Sequence, residues 1–420
     1  KVEFEEYDLN NGMHVILHQD NSAPIVTVGV MYHVGAKDEV DGKTGMAHFY
    51  EHLLFTGTKN IERDKWREIQ SVRGGTGNAN TNWDRTYYYQ TYPSNELKLA
   101  LWMESERLLH PIIDQKAIDT QNEVVKEEKR QRMDNAPYGK VIYGDVYRHI
   151  FDKHNYGRPM IGYIKDLDAA KLEEFQAFYD KWYMPNNAVL VVAGDFEKKD
   201  ARTFIKNYFE PIPKRNAPNR IKIVEPERTE EKRIKEYDAN IRTPLIGLAY
   251  KTPSMKERDA KVLDVISTVL SNGKSSRLYK KLVDDKKKAL QAFSFSRPLE
   301  DYSVYIIGAM PLGKTSLDDL ISEMDEEIVK LQTDLISDED LQKVRNKFEN
   351  QFVASNSNVT GIANSLARNY MLVGNTNRIN KELEIINSIT KEEIREVAKK
   401  YLAKSRRVVM EYLPESQKKK

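Results

Sequence analysis

The stretch Thr44-Gly45-Met46-Ala47-His48-Phe49-Tyr50-Glu51-His52-Leu53-Leu54-Phe55 decides how the rest of the chain is organised. It contains the pattern His48-x-x-Glu51-His52. Positions four apart share one face of an α-helix, about 6 Å between Cβ atoms, so both imidazoles can reach one metal ion. Glu51 borders the same face. Two imidazoles and a carboxylate at this spacing suit a zinc ion and a water that the carboxylate can deprotonate.

The residues around this pattern weigh against a chance match in a surface helix. The stretch is apolar on nearly every side, through Met46, Ala47, Phe49, Leu53, Leu54 and Phe55. A buried helix that carries two imidazoles and a carboxylate must satisfy them with a partner or a metal. We therefore predict a buried helix with a zinc site, with Thr44 as its N-cap and Gly57 as its end.

The composition bounds the class of protein. The chain has 420 residues, enough for two or three domains. Its 66 Lys and Arg nearly balance 64 Asp and Glu, so its charge makes no case for nucleic acid or an anionic membrane as a partner. No run of about 18 apolar residues predicts a membrane span. Because there is no cysteine, a metal must use His, Asp or Glu.

The compartment is predicted from weaker features. The sequence starts at Lys1 without Met, it has no cysteine, and its mean hydropathy is −0.66. We expect a bacterial periplasmic or secreted protein, with the cytoplasm as the alternative.

The order of predicted elements indicates an α+β fold. A hairpin is predicted around Asn10-Asn11-Gly12, and the nearly all-apolar run 25–34 predicts a central strand. A helix at 171–182 followed by a strand at 188–193 resembles a helix at 391–400 followed by a strand at 407–412. We therefore predict two homologous domains, each a mainly antiparallel sheet packed with helices.

The predicted domain boundaries follow the composition. Residues 213–232 are rich in Pro, Lys, Arg and Glu and predict a linker. The zinc-binding domain is then 1–212, and the second domain is 233–420.

A catalytic zinc usually has three protein ligands, so one more is needed. The other histidines, none in a metal-like pair with a nearby carboxylate, are His14, His18, His33, His110, His149 and His154. Among the acidic residues of 122–131, Glu128 follows Val125 at i−3 and Val124 at i−4 and continues the apolar face. Glu127 shares the charged face with Glu123 instead. An inward carboxylate needs a partner or a metal, which makes Glu128 the candidate.

Several motifs together resemble a known family, the inverted zinc metallopeptidases that include insulysin, pitrilysin and the mitochondrial processing peptidase. The resemblance spans nearly the whole chain. The chain looks like a bacterial family member that consists of a single half, with two domains. Its motifs are His48-x-x-Glu51-His52 with Glu128, the flanks 45–47 and 54–58, Asn78-Ala79-Asn80-Thr81 before 84–88, 125–130 with 135–139, and 182–187.

The resemblance implies a role for each matching residue. His48, His52 and Glu128 would bind one zinc ion, and Glu51 would be the general base for its water. An exposed edge strand would bind the substrate, and a peptide would add to it as an extra strand. The substrate-binding residues of this strand would be Asn78, Ala79, Asn80 and Thr81. Two such domains would form half of a clam-shell peptidase.

The second domain departs from the family pattern. After the turn Ser275-Ser276-Arg277-Leu278, family members carry an Arg and a Tyr that bind the substrate or the developing oxyanion. Val283 and Leu290 stand at those positions, and neither side chain donates a hydrogen bond. We therefore expect a dimer, preferably a heterodimer with a homologous subunit that carries the Arg and Tyr.

The resemblance thus implies a zinc endopeptidase that hydrolyses peptides or unfolded segments in a closed chamber. Two alternatives stay open: a non-catalytic subunit of the same fold, and a processing enzyme that cuts one defined peptide.

Overall fold

The computed structural model describes residues 1–418 and contains two sheets. The eleven strands are β1 Glu5–Asp8, β2 His14–Gln19, β3 Ile25–Tyr32, β4 Thr76–Thr81, β5 Thr86–Pro93, β6 Ala188–Gly194, β7 Lys232–Asp238, β8 Leu245–Pro253, β9 Ala289–Arg297, β10 Tyr302–Pro311 and β11 Arg407–Pro414. The first sheet has the order β1-β2-β6-β3-β5-β4 and the second β7-β11-β8-β10-β9. Each contains one parallel pair, β2 with β6 and β7 with β11, and the other pairs are antiparallel.

Helices pack on both sheets. The α-helices are α1 Met46–Leu53, α2 Trp66–Val72, α3 Leu97–Leu109, α4 Gln115–Lys129, α5 Val146–Ile150, α6 Ile164–Ala169, α7 Leu172–Trp182, α8 Lys198–Phe209, α9 Arg258–Ser271, α10 Leu317–Thr333, α11 Asp338–Ser355, α12 Val359–Arg368, α13 Arg378–Ser388 and α14 Lys391–Tyr401. In residues 1–418 none of them is long and apolar enough to cross a bilayer.

These elements confirm the α+β prediction. β1 and β2 form the predicted hairpin, and the nearly all-apolar β3 lies inside the first sheet between β6 and β5. The predicted repeat is also present, because α7 precedes β6 as α14 precedes β11. β6 and β11 each pair with one parallel and one antiparallel strand.

The chain divides into two compact units that are not contiguous in sequence. The first contains 1–129, 158–222 and 353–381, and the second contains 130–157, 223–352 and the residues from Glu382 onward. One crossing, between Lys222 and Ile223, falls inside the predicted linker, which is irregular from 213 to 231. The other segments differ from the predicted contiguous domains.

Segment 353–381 lies in the second half of the sequence but belongs to the first unit, and we call it the exchanged segment. Its place there has a clear physical reason. α12 carries an apolar stripe at helical spacing, Val359, Ile362, Ala363 and Leu366. This stripe packs in one buried cluster with residues of β2, β3 and β6, so it covers a face of the first sheet. In the second unit, residues of β8, β10 and β11 form a core with helices that include α9, α10 and α14.

Candidate metal centre

The helix that carries the His-x-x-Glu-His pattern is α1, and its start is built from buried polar contacts. Gly45 precedes it with φ of 89°, a conformation that favours glycine. The Glu39 carboxylate accepts hydrogen bonds from Gly45 N at 2.7 Å and Ala47 N at 2.9 Å. Burial raises the pKa of Glu39 to about 8, although the two N–H donors oppose the rise. Glu39 therefore does the capping.

Thr44 is not the N-cap, so that prediction was wrong. Its hydroxyl donates to Asp166 of α6 at 2.7 Å and accepts from Tyr163 N at 2.9 Å. The side chain thus ties the α1 entry loop to α6, because its hydroxyl donates to the buried Asp166 carboxylate instead of accepting from the helix start. The helix also ends at Leu53, four residues before Gly57.

His48, His52 and Glu128 come together in the first unit. Glu128 Oε2 lies 3.4 Å from His48 Nε2 and 2.9 Å from His52 Nε2, and the ring centroids are 4.9 Å apart. Ligands around a tetrahedral zinc, with bonds near 2.1 Å, are separated by about 3.4 Å. Within residues 1–418, no second group of three His, Asp or Glu side chains converges in this way.

The side-chain nitrogens and the carboxylate oxygen are arranged better for binding a metal than for hydrogen bonding to one another. His52 Nε2 is buried and makes no hydrogen bond of acceptable geometry, although the carboxylate oxygen is only 2.9 Å away. A buried polar atom left this way costs free energy unless another partner takes it. Two imidazole nitrogens and a carboxylate oxygen are a common zinc ligand set, so the residues present fit zinc.

Glu128 reaches the site from α4, but the face reasoning that selected it was only partly right. Val125 is buried, as predicted, whereas Val124 is 44% exposed. Glu128 is half-buried and Glu127 is exposed, so the choice between these two carboxylates agrees with their burial. Burial raises the pKa of Glu128, but the two imidazoles outweigh it and hold the pKa well below its usual value.

Glu51 is held by the strand that the sequence predicts to bind substrate. Its Oε2 accepts a hydrogen bond of 2.6 Å from Thr81 Oγ1, at the end of β4. β4 lies at the edge of the first sheet and pairs only with β5. Along it, Asn78 and Asn80 are exposed, while Ala79 and Thr81 are buried.

The far end of α1 rests on a buried ion pair that the sequence reasoning missed. Arg107 of α3 is fully buried, donates to Leu54 O at 2.8 Å, and pairs with Glu104 at 2.9 Å. Its guanidinium also lies 3.9–4.5 Å from the ring centroids of Phe55, Trp66 and Tyr88. The available signal was Glu104 and Arg107, three residues apart in the mostly apolar segment 97–109.

In the second unit, the positions expected to carry Arg and Tyr have different surroundings. Val283 packs against the core, and Leu290 at the start of β9 is 47% exposed. The segment between them is fixed by ion pairs, since Lys286 and Lys288 contact the buried Glu323 at 2.6 and 2.7 Å. Burial raises the pKa of Glu323, but three lysine contacts outweigh it and lower the pKa to about 2.

Comparison with known proteins identifies the family. Residues 14–163 match the family described as "Insulinase (Peptidase family M16)", and residues 169–348 match "Peptidase M16 inactive domain". The zinc protease PqqE of Helicobacter pylori is 30% identical over 364 residues, which cover 85% of this chain and 82% of PqqE.

Solved structures agree with this match. A protease from Helicobacter pylori has a TM-score of 0.92 and 26% identity, and the match covers 98% of this chain and all of that one. The periplasmic protease PqqL of Escherichia coli shares the fold, with a TM-score of 0.79 and 18% identity over 98% of this chain but 48% of PqqL. The chain therefore belongs to the insulinase family of peptidases, M16, as the resemblance in its sequence indicated.

Proposed function

We propose that the chain is a zinc-dependent endopeptidase that hydrolyses peptides or unfolded segments. One observation carries this proposal: the base candidate Glu51 is hydrogen-bonded to the edge strand β4 and lies on the same helix as two of the three metal-ligand candidates. The candidate ligands, the base candidate and the edge strand β4 all belong to the first unit.

His48, His52 and Glu128 would hold one zinc ion. When bound, zinc would supply Lewis-acid chemistry, lowering the pKa of a water and polarising a peptide carbonyl. Glu51 would take the proton from the attacking water and pass it to the leaving amine. Thr81 would keep Glu51 in one orientation through its 2.6 Å hydrogen bond.

The peptide would bind along Asn78–Thr81 as an added strand. An edge strand offers a row of main-chain N–H and C=O groups that pair with any extended sequence. Unfolded segments meet this requirement, and residues inside a folded helix do not.

A second subunit would complete the site. Val283 and Leu290 offer no donor for an oxyanion, so the Arg and Tyr of the family would come from a homologous partner. PqqL supports this view, because the chain matches only 48% of its length, which leaves room there for a second half. If the purified chain alone hydrolyses a peptide panel robustly, a partner is not required.

A non-catalytic or processing subunit is the second candidate. The match of residues 169–348 to an inactive domain favours it for the later part of the chain. Every zinc-ligand candidate and Glu51 precede that region, so the match does not bear on the metal centre. We also propose a periplasmic or secreted location, supported by the periplasmic PqqL and tested by cell fractionation.

Metal analysis together with Glu51→Gln tests the function. We expect about one zinc per chain in both proteins, and peptide hydrolysis, assayed with the homologous partner subunit present, only with the unsubstituted one. Activity that survives in a zinc-loaded Glu51→Gln protein would show that Glu51 is not the base. A chain that binds no zinc would favour the non-catalytic alternative.

A further inference from the structure

The open edge of β4 is covered by side chains of its own unit. Arg67 of α2 donates a hydrogen bond to Gly77 O, and Ala79 N donates to Asn78 Oδ1 at 2.9 Å. The main-chain N–H and C=O groups of successive residues point to opposite sides of a strand, so Gly77 and Ala79, two residues apart, present theirs to the same side. Their side-chain partners identify that side as the one facing away from β5.

Arg67 is a cation without a counter-charge. The side chain is exposed, and in the described part of the chain it contacts no carboxylate at ion-pair distance. Its guanidinium lies 4.4 Å from the centroid of the Phe55 ring, over which Arg107 lies at the same distance. Desolvation of the guanidinium by its neighbours and the charge of Arg107 lower the pKa of Arg67, so an anion at this place would be stabilised.

A peptide that adds to β4 would change the partner of Arg67. The main-chain N–H of an incoming strand would take Gly77 O, which is the acceptor that the guanidinium now uses. The displaced guanidinium then needs a new acceptor, and a carboxylate on the peptide is the strongest one that a peptide offers.

We propose that Arg67 forms a subsite for an acidic side chain of the bound peptide, resting on the proposed peptidase function for the peptide's presence at β4. The strand sets its position. Thr81 contacts Glu51 at one end of β4, and Gly77 lies four residues away, about 13 Å at 3.3 Å per residue. Peptides with Asp or Glu about four residues from the bond that is cut are therefore the favoured class.

Binding of labelled peptides tests the subsite without relying on hydrolysis. A single Glu or Gln is moved through successive positions of a fluorescein-labelled decapeptide, and the dissociation constant is measured by fluorescence anisotropy on the full zinc-loaded chain carrying Glu51→Gln. At one position we expect Glu to bind about three- to fivefold more tightly than Gln, less so at high salt.

Variants of Arg67 identify the residue responsible. The measured ratio is the dissociation constant of the Gln peptide divided by that of the Glu peptide. We expect this ratio to fall to about one in Arg67→Gln and to be kept in part in Arg67→Lys. Arg67→Glu should instead favour a Lys peptide. Arg73→Gln is the matched control, an exposed arginine near the C-terminal end of α2 with a 3.6 Å contact to Glu96, and should leave the ratio unchanged. A purely structural role for Arg67 would weaken both peptides alike.

Two results would overturn the subsite. One is a ratio near one at every peptide position when Arg67 is intact, through equal or unmeasurable binding; the other is a ratio that survives in Arg67→Gln. Hydrolysis of the same peptides by the chain with Glu51 intact is scored separately. If no peptide is cut even with the homologous partner subunit present while the ratio is present, the peptidase proposal fails and the acidic subsite stands.

Discussion

Replacing Arg107 by Met should destabilise the first unit more than any surface substitution. The side chain is fully buried, and three of its contacts are polar: two with Glu104, at 2.9 and 3.3 Å, and one with Leu54 O at 2.8 Å. Removing one member of a buried ion pair typically costs about 3–5 kcal/mol, because the other charge stays buried without its partner. We expect the free energy of unfolding to fall by about that amount.

A second substitution separates this cause from simple loss of packing. Glu104→Gln in the Arg107→Met background removes the unpaired charge, so it should recover about 1–3 kcal/mol. Urea unfolding followed by tryptophan fluorescence and far-UV circular dichroism measures both values. Arg73→Met is the control, because its exposed ion pair should contribute less than about 1 kcal/mol.

The same variant should weaken zinc binding. Leu54 follows α1 directly, so freeing its carbonyl loosens the end of the helix that holds His52. Loss of a supporting contact of this kind costs about tenfold in metal affinity, measurable by competition with a chelator. The reasoning is refuted if Arg107→Met costs less than about 1 kcal/mol, or if Glu104→Gln destabilises it further.

Three further outcomes are expected. Glu128→Gln should lower zinc affinity by at least about tenfold, whereas Glu127→Gln on the same helix should not; equal zinc content in the two would contradict the ligand assignment. Thr81→Val should reduce kcat/KM by about ten- to a hundredfold with zinc content unchanged, since Glu51 loses its orienting hydroxyl, and Thr81→Ser should restore it. The pKa of Glu323 is lowered to about 2, so its contribution to stability is present above about pH 4.5 and is lost as the pH falls. Between pH 5 and 2.5 the unsubstituted chain should therefore lose about 2 kcal/mol more than Glu323→Gln, a value reduced for solvent screening of the lysines.

The structure brings together the three side chains that the sequence singled out as metal-ligand candidates, because helical spacing and residue chemistry largely determine where they lie. His48 and His52 lie four residues apart, so they share a face of any α-helix that contains both. Their proximity to Glu128 was predicted from the family motif as well as from the helix face. The face reasoning failed at Val124, since a single apolar residue does not say which side of a helix is buried.

Other features depend on contacts that lie outside one helix or strand. Glu39 caps α1 in place of Thr44 because a loop returns a carboxylate to the helix start, which no local rule for N-caps detects. The pairing of Arg107 with Leu54 O joins residues 53 positions apart. The contiguous domain prediction missed the exchanged segments for the same reason, because the apolar stripe of α12 does not reveal which sheet it covers.

The placement of α12 sets the order in which the protein can mature on the ribosome. The first sheet has all its strands once residue 194 is made, yet the helix that covers one of its faces begins at Val359. At about 5–20 residues per second, the 165 residues between them take roughly 8–33 s to synthesise. During that interval the sheet face lacks the helix that covers it in the folded unit, so we expect the nascent chain to expose apolar surface that chaperones can bind, and a gene cut after the first half to yield an aggregation-prone product.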